Sequence, residues 1–430
     1  MDALAYLFSL ETLGIKFGLE NIRAICEALG HPERAWPSAV VAGTNGKGSV
    51  SAMVETGLRT AGLRTGLYTS PHLVRLEERF AIDGTPVATA DMAAAAATVR
   101  DAVAALRSAG RLATEPTFFE VTTALGFELF RRARVDFVVL EVGLGGRFDA
   151  TTAATPVAAA ITTIDFDHER FLGHTIAAIA AEKAGVIKPG MPVVVGETKP
   201  DAVRAIAHAC AEQHATMIPA AAGVRSDVVA IDEGAAIVRL CTPLRDYGAL
   251  RLALRGRHQA QNAVVAVRLL EELDRLGFMV PPAAIAAAVI STRWPGRLDL
   301  LSDGPDRRVL CDAAHNPAGA RSLGDYLREI YPAGLPLVFG IMKDKDVAGT
   351  LGPLLPSVTH LVATAAHTDR AMAADRLAEE ARRAGWRGPI DIEPEAGTAL
   401  DRAWRCASTI CAAGSIFLVG EVLARLRSDT

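Results

Sequence analysis

Along the chain, short apolar and β-branched runs alternate with longer stretches in which apolar residues recur at three- and four-residue intervals. The runs predict strands at Ala39–Ala42, Thr65–Tyr68, Phe137–Val142, Val157–Ile164, Met191–Val195, Val309–Cys311, Leu335–Gly340, His360–Thr364 and Ser415–Val419. Helical stretches between them predict βαβ units and mostly parallel sheets. Several of the runs are apolar throughout, as expected of strands covered on both faces. Residues 224–254 lack this rhythm and read as irregular β structure, an accessory sheet. The segment PPAAIAAAVISTRWPGR, with Pro281, Pro282, Pro295 and Gly296, interrupts the pattern. It places a boundary between a domain of residues 1–290 and a smaller one of residues 297–430. The fold class that follows is α/β: an N-terminal P-loop ATPase-like domain with the accessory β region, then a Rossmann-like C-terminal domain.

Composition narrows the class. The 430 residues are 50% hydrophobic and 22% charged, which suits large buried cores, and two or three domains at roughly 100–200 residues each. A net charge of −4 makes no electrostatic case for nucleic acid or an acidic membrane. The six cysteines are scattered, with no C-x-x-C pair, so reduced thiols are expected rather than a zinc site or a disulfide framework. The opening MDALAYLFSLETLG has no basic segment before an apolar one, and no run nears about 18 apolar residues. A cytoplasmic protein is the expectation.

The first chemistry-bearing motif is Gly43-Thr44-Asn45-Gly46-Lys47-Gly48-Ser49, between an apolar strand and a helical stretch from Val50 to Ala61. Such a turn exposes backbone N–H groups at a helix N-terminus, where phosphate is favoured. Lys47 can neutralise the β- and γ-phosphates, and Ser49 can reach Mg²⁺ or a phosphate oxygen. Gly48 between them departs from the standard P-loop. The alternative is a plain glycine turn. Glu141 ends a strand, where an acid can hold the metal of a nucleotide or simply cap a loop. A dinucleotide reading of Gly143–Gly146 is weaker, because the third glycine and the later acid are out of register. His168 holds the equivalent place after Val157–Ile164. Lys183 shares the apolar face of a predicted helix, Thr175–Lys188, with Ile176, Ile179, Ala180 and Ile187. An inward lysine has a lowered pKa, and its neutral amine can take up CO₂ as a carbamate, a carboxylate-like metal ligand. A snorkelling lysine is the alternative.

Nine motifs in order make the chain resemble the folylpolyglutamate synthase family of the Mur-type ligases. They are GTNGKGS (43–49), YTSPHLVRLEERF (68–80), TFFEVTTALGFELF (117–130), EVGLGGRFDAT (141–151), DHERFLGHTIAAIAAEKAGVIKPG (167–190), GRHQAQNA (256–263), WPGRLD (294–299), DAAHNP (312–317) and GSIFLVGE (414–421). His168 follows Glu141 by 27 positions and Lys183 follows His168 by 15, the family's spacing. The resemblance implies Ser70, Glu141, His168 and Lys183 as Mg²⁺ ligands, Lys183 as a carbamate. It implies Gly46, Lys47, Gly48 and Ser49 around the triphosphate, with Asn262, Arg297 and Asp312 as further ATP contacts. It implies Asp312 and His315 as groups facing the incoming amine. It places the pterin side at Phe17, Gly18 and Leu19, then Thr117, Phe118, Phe119 and Glu120, then Phe148, Asp149 and Ala150. His315 can equally cap the helix that starts at Asn316-Pro317. Thr152 and Asp165 depart from the family pattern beside the pterin and metal sites.

The implied reaction is ligation of L-glutamate to dihydropteroate, or to the glutamate tail of a folate, through an acyl phosphate. ATP and two Mg²⁺ are implied, with a monovalent cation left open, and the partners are small molecules acting on a monomer. The Ala- and Arg-rich composition fits a GC-rich bacterial genome, for which both ligations are expected. The rivals are a cell-wall Mur-type ligase, a P-loop regulatory protein and, more distantly, a dinucleotide oxidoreductase. YTSPHL and WPGRLD count against the first, and the DAAHNP motif, idle in the second, counts against it.

Overall fold

The computed structural model describes residues 2–10, 14, 16, 18–112, 114–232 and 234–428. The first sheet is built from β1 (Ser38–Ala42), β2 (Thr65–Tyr68), β3 (Phe80–Ile82), β4 (Thr85–Pro86), β5 (Phe137–Glu141), β6 (Ala158–Ile161), β7 (Pro192–Val195) and β8 (Thr216–Pro219). Its spatial order is β4-β3-β2-β5-β1-β6-β7-β8, parallel except for β3 and β4 at one edge. Side chains alternate faces along a strand. Val40 and Ala42 therefore enter one core with Leu125, Phe127 and Phe130, while Ala39 and Val41 enter another with Met53, Leu58 and Leu270. Both faces are covered, so no position of β1 or β5 is polar until Glu141, apart from Ser38.

The accessory region is a three-stranded antiparallel sheet of β9 (Arg225–Asp232), β10 (Ala235–Cys241) and β11 (Asp246–Arg255). The second large sheet contains β12 (Asp299–Asp303), β13 (Arg307–Asp312), β14 (Leu335–Phe339), β15 (Val358–Ala363), β16 (Ile390–Ile392) and β17 (Thr409–Ala413), in the order β12-β13-β17-β14-β15-β16. Only β12 runs antiparallel to its neighbour. Two apolar clusters cover its faces. The molecule is thus a two-domain α/β fold with mostly parallel sheets.

Three sequence expectations need correction. Ser415–Val419 is not a strand but the start of helix Ile416–Ser428; the strand lies just upstream at Thr409–Ala413. A four-residue apolar run carries no usable period. The helix signal was Gly414, in a left-handed turn (φ 103°), followed by Ser415, whose hydroxyl accepts the Phe417 N–H at 3.1 Å. The strand expected to reach Ile164 ends at Ile161, because the next residues brace the phosphate loop. The lysine helix is shorter than expected, Ile176–Ala184, with Thr175 capping it through the Ala178 N–H at 3.1 Å.

Candidate active site

β1 lies between β5 and β6, so the loops leaving the carboxyl ends of all three open side by side, where open α/β sheets bind ligands. The loop after β1 runs straight into helix Lys47–Thr60. Gly46 caps it at φ 87°, and any Cβ there would overlap the Asn262 side chain. The first-turn N–H groups have no helical acceptor and are open to an anion. The loop is held rigidly. Thr44 N–H donates to Thr163 O at 2.7 Å, and the Thr162 hydroxyl donates to Asn45 O at 2.7 Å. Lys47 Nζ rests on Thr44 O at 3.2 Å. Gly48 faces the Trp294 indole. Ser49 is buried and accepts the Gln259 amide at 3.3 Å, and Gln259 in turn accepts the Asn262 amide at 2.9 Å. Gln259, which locks Ser49 and Asn262 together, was not singled out from sequence.

Glu141, at the end of β5, is 6% exposed and receives the Ser70 N–H at 3.3 Å from the end of neighbouring β2. Burial pushes its carboxyl up, and Lys47 and Arg297 pull it back down. His168 sits just past β6 in a left-handed conformation (φ 51°). Burial lowers its imidazole to about 4 against the opposing pull of Asp167, which favours the neutral ring, whose one unprotonated nitrogen can serve a metal. Lys183 is 5% exposed, as the helix period predicts, and donates to Gly43 O of the phosphate loop at 2.8 Å. Burial, then Lys47, lower its ammonium to about 7. Among the described residues no three of His, Cys, Asp and Glu converge as a ready metal cage. The residues that the resemblance implies as ligands are one buried carboxylate, one serine, one imidazole and the buried Lys183 amine, and the structure brings Ser70 directly to Glu141. Such a set suits Mg²⁺, which takes one or two carboxylates and fills its shell with phosphate and water.

The second domain meets this site through His315 and Asn316 and through two residues the sequence did not single out, Lys345 and Arg321. Asp167 accepts from Lys345 at 2.6 Å and from Asn316 at 3.2 Å, and faces His315 Nε2 at 3.6 Å. Burial would raise its carboxyl, but His315, Lys345 and His168 hold it well below the usual range. Asn316 also donates to Asn45 at 3.0 Å, and Arg321 pairs with Asp165 at 3.1 Å. Asn316, not His315, caps helix Pro317–Ile330, through the Gly319 N–H at 2.8 Å. His315 Nδ1 lies 2.9 Å from Ala313 O. A carbonyl only accepts, so Nδ1 carries a proton, and Nε2 faces the Asp167 carboxylate across the cleft. Asp312 differs from expectation. Its two oxygens accept the Leu298 and Ala314 N–H groups, both at 2.9 Å, so it secures the inter-domain segment that carries Arg297.

On the pterin side, Thr117 and Glu120 form a capping box on helix Phe118–Ala133, with bonds of 2.8, 3.0 and 3.2 Å. Thr117→Ala is expected to cost about 1 kcal/mol in urea denaturation, the usual loss of an N-cap. Arg79 stacks over Phe118 at 5.1 Å, and the Phe119 ring lies against Gly143. Asp149 accepts from Gly143 N, Leu144 N, Thr151 N and the Thr151 hydroxyl at 2.6–3.0 Å. It clamps the loop after Glu141 and has no lone pair directed elsewhere. Ala150 and Leu19 are buried, Gly18 turns at φ 123°, and Phe148 is 44% exposed. Phe17 lies outside the described residues.

Comparison with known proteins agrees with this geometry. The Mur ligase middle domain matches residues 41–270, and the Mur ligase glutamate ligase domain matches residues 296–419. The dihydrofolate synthase/folylpolyglutamate synthase of Bacillus subtilis (strain 168) is 34% identical over 366 residues, 84% of each chain. The solved Escherichia coli FolC in complex with DHPP and ADP is similar over 100% of this chain and 98% of its own, with TM-score 0.87 and 30% identity. A bifunctional folylpolyglutamate synthase/dihydrofolate synthase from Yersinia pestis, complexed with AMPPNP and Mn ion, covers 99% and 97%, with TM-score 0.84 and 32% identity.

Proposed function

The chain belongs to the dihydrofolate synthase/folylpolyglutamate synthase branch of the Mur ligases, ATP-dependent enzymes that add glutamate in folate metabolism, and we propose that it performs both ligations of that branch. One adds L-glutamate to dihydropteroate, and the other extends the glutamate tail of a folate. The observation that carries this reading is the buried Lys183 amine, 2.8 Å from Gly43 O, with Glu141 and the phosphate loop around it. A regulatory nucleotide switch has no use for such a group, nor for a second domain bonded to Asn45 of the loop.

Both ligations follow one course. A carboxylate oxygen of the pteroate or folate attacks the γ-phosphorus, and the bond to ADP breaks. The glutamate amine then attacks the acyl carbon, loses a proton, and phosphate departs from the tetrahedral intermediate. Two anions must first approach each other, so positive charge is the main requirement. Lys47 and Arg297, both close enough to Glu141 to lower its pKa, supply it. Ser70, Glu141, His168 and Lys183 as its carbamate would hold Mg²⁺, which neutralises the phosphate and carboxylate oxygens when bound. Carbamate formation joins the Lys183 nitrogen to the carbon of CO₂ with loss of one proton. The nitrogen keeps one N–H, so the bond to Gly43 O survives. His315, whose Nε2 faces Asp167 at 3.6 Å, is placed to orient the incoming ammonium or to relay its proton, and Phe148, 44% exposed, lies on the side given to the pterin. Residues 1–290 hold ATP and the pterin substrate, and residues 297–430 present glutamate. The reading places the enzyme in the cytoplasm as a monomer; no helix among the described residues is long and apolar enough to cross a membrane.

The direct test is glutamate-dependent phosphate release from ATP and Mg²⁺, run with 7,8-dihydropteroate and with tetrahydrofolate. Release with both is expected. Release with one alone would reduce the assignment to that ligation.

A further inference from the structure

The loop that carries Ser70 leans on the second domain through Leu73 and Val74. Leu73 and its neighbour Val74 pack into the apolar cluster of the second domain that contains Leu418, Val419 and Val422. The Leu73 carbonyl lies against Gly420, in helix Ile416–Ser428, so closely that any Cβ on Gly420 would overlap its oxygen. Gly420 has no left-handed backbone to explain it. A glycine inside a helix costs about 0.5–1 kcal/mol relative to alanine, so its place here is explained by the approach of Leu73. From the other side, the N–H groups of Leu73, Val74 and Arg75 all donate to the Glu78 carboxylate, at 2.7, 3.2 and 3.2 Å. That bundle stiffens the stretch from Leu73 to Arg75. Ser70, three residues before Leu73 on the same loop, rests its N–H on Glu141 at 3.3 Å.

We propose that Leu73 and Gly420 are positioning residues: the second domain, docked on Leu73 through the bare face of Gly420, sets Ser70 beside Glu141. The metal-holding half of the site is then complete only when the glutamate-side domain is engaged, so acyl phosphate forms only where an amine can meet it. This inference rests on the reading of Ser70 as a metal ligand.

The test is calorimetric titration of Mn²⁺ into full-length protein loaded with a non-hydrolysable ATP analogue, for Gly420→Ala, Leu73→Ala and Ser70→Ala. Gly420→Ala is expected to weaken Mn²⁺ by about tenfold, the scale of losing a group that orients a metal ligand. Its kcat should fall in parallel, while ADP affinity without metal stays within about twofold, since the phosphate loop is untouched. Wild-type Mn²⁺ affinity in folded Gly420→Ala overturns the proposal. If that variant does not fold, Leu73→Ala decides by the same reading, because it removes the apolar knob and leaves the backbone approach. Unchanged Mn²⁺ affinity in Ser70→Ala would instead remove Ser70 from the metal site and the proposal with it. A weakened Ser70→Ala beside unaltered Gly420→Ala and Leu73→Ala would leave the metal reading standing and overturn the coupling alone.

Discussion

Lys183→Ala is expected to lower kcat for ligation by at least about 100-fold, the scale of losing one preorganised electrostatic contact, while ATP affinity changes little. The amine is 5% exposed and its ammonium is lowered to about 7, first by burial and then by Lys47. Below pH 7 the protonated form dominates and cannot react with CO₂; above it the neutral amine does. Added bicarbonate should therefore raise activity more at pH 8 than at pH 6. Lys183→Met, which fills most of the volume, separates this loss from a packing defect, and Lys183→Arg keeps a charge but cannot form the carbamate. Both should be as inactive as Lys183→Ala, with nucleotide affinity by calorimetry close to wild type. Near-normal turnover in any of the three would sink the carbamate reading.

Lys183 also shows what a sequence can disclose. Its burial follows from one helical period, because the residues around it on that face are apolar. The phosphate loop is equally local: the seven residues that follow the strand end contain the left-handed cap and the first cation. The closure contacts are not local. Asp167 and Lys345 are 178 positions apart, and nothing in either segment names the other. Acid residues mislead for a different reason. Glu141, Asp149 and Asp312 all stand at strand ends or loop corners, yet Asp149 and Asp312 spend their oxygens on backbone N–H groups and the Thr151 hydroxyl, whereas Glu141, among the described residues, receives the Ser70 N–H. Which acid is free depends on the loop path, and composition does not encode that path. The departure at Asp165 found a partner in Arg321 of the second domain, a contact that a smaller residue could not make.

Lys47→Ala is the second large expectation, and its effect is double. The ammonium sits at the first residue of helix Lys47–Thr60, against Thr44 O at 3.2 Å, where the phosphates of ATP would arrive. A hydrogen bond to a charged group contributes about 1.5–3 kcal/mol, so ATP affinity should fall by roughly 10- to 150-fold. The helix N-terminus and loop amides remain, so binding should not vanish. The second effect is electrostatic. Lys47 lowers the pKa of both Lys183 and Glu141. Without it both rise, leaving less neutral amine and less carboxylate at pH 7. Saturating ATP should therefore fail to restore kcat, and the pH at which activity appears should move upward. Calorimetry of ATP binding and kcat at saturating ATP across pH 6–9 read the two effects separately. Unchanged affinity would remove the loop lysine from the phosphate site. Weakened affinity with full kcat at saturation would confine Lys47 to binding and detach it from the chemistry at Lys183.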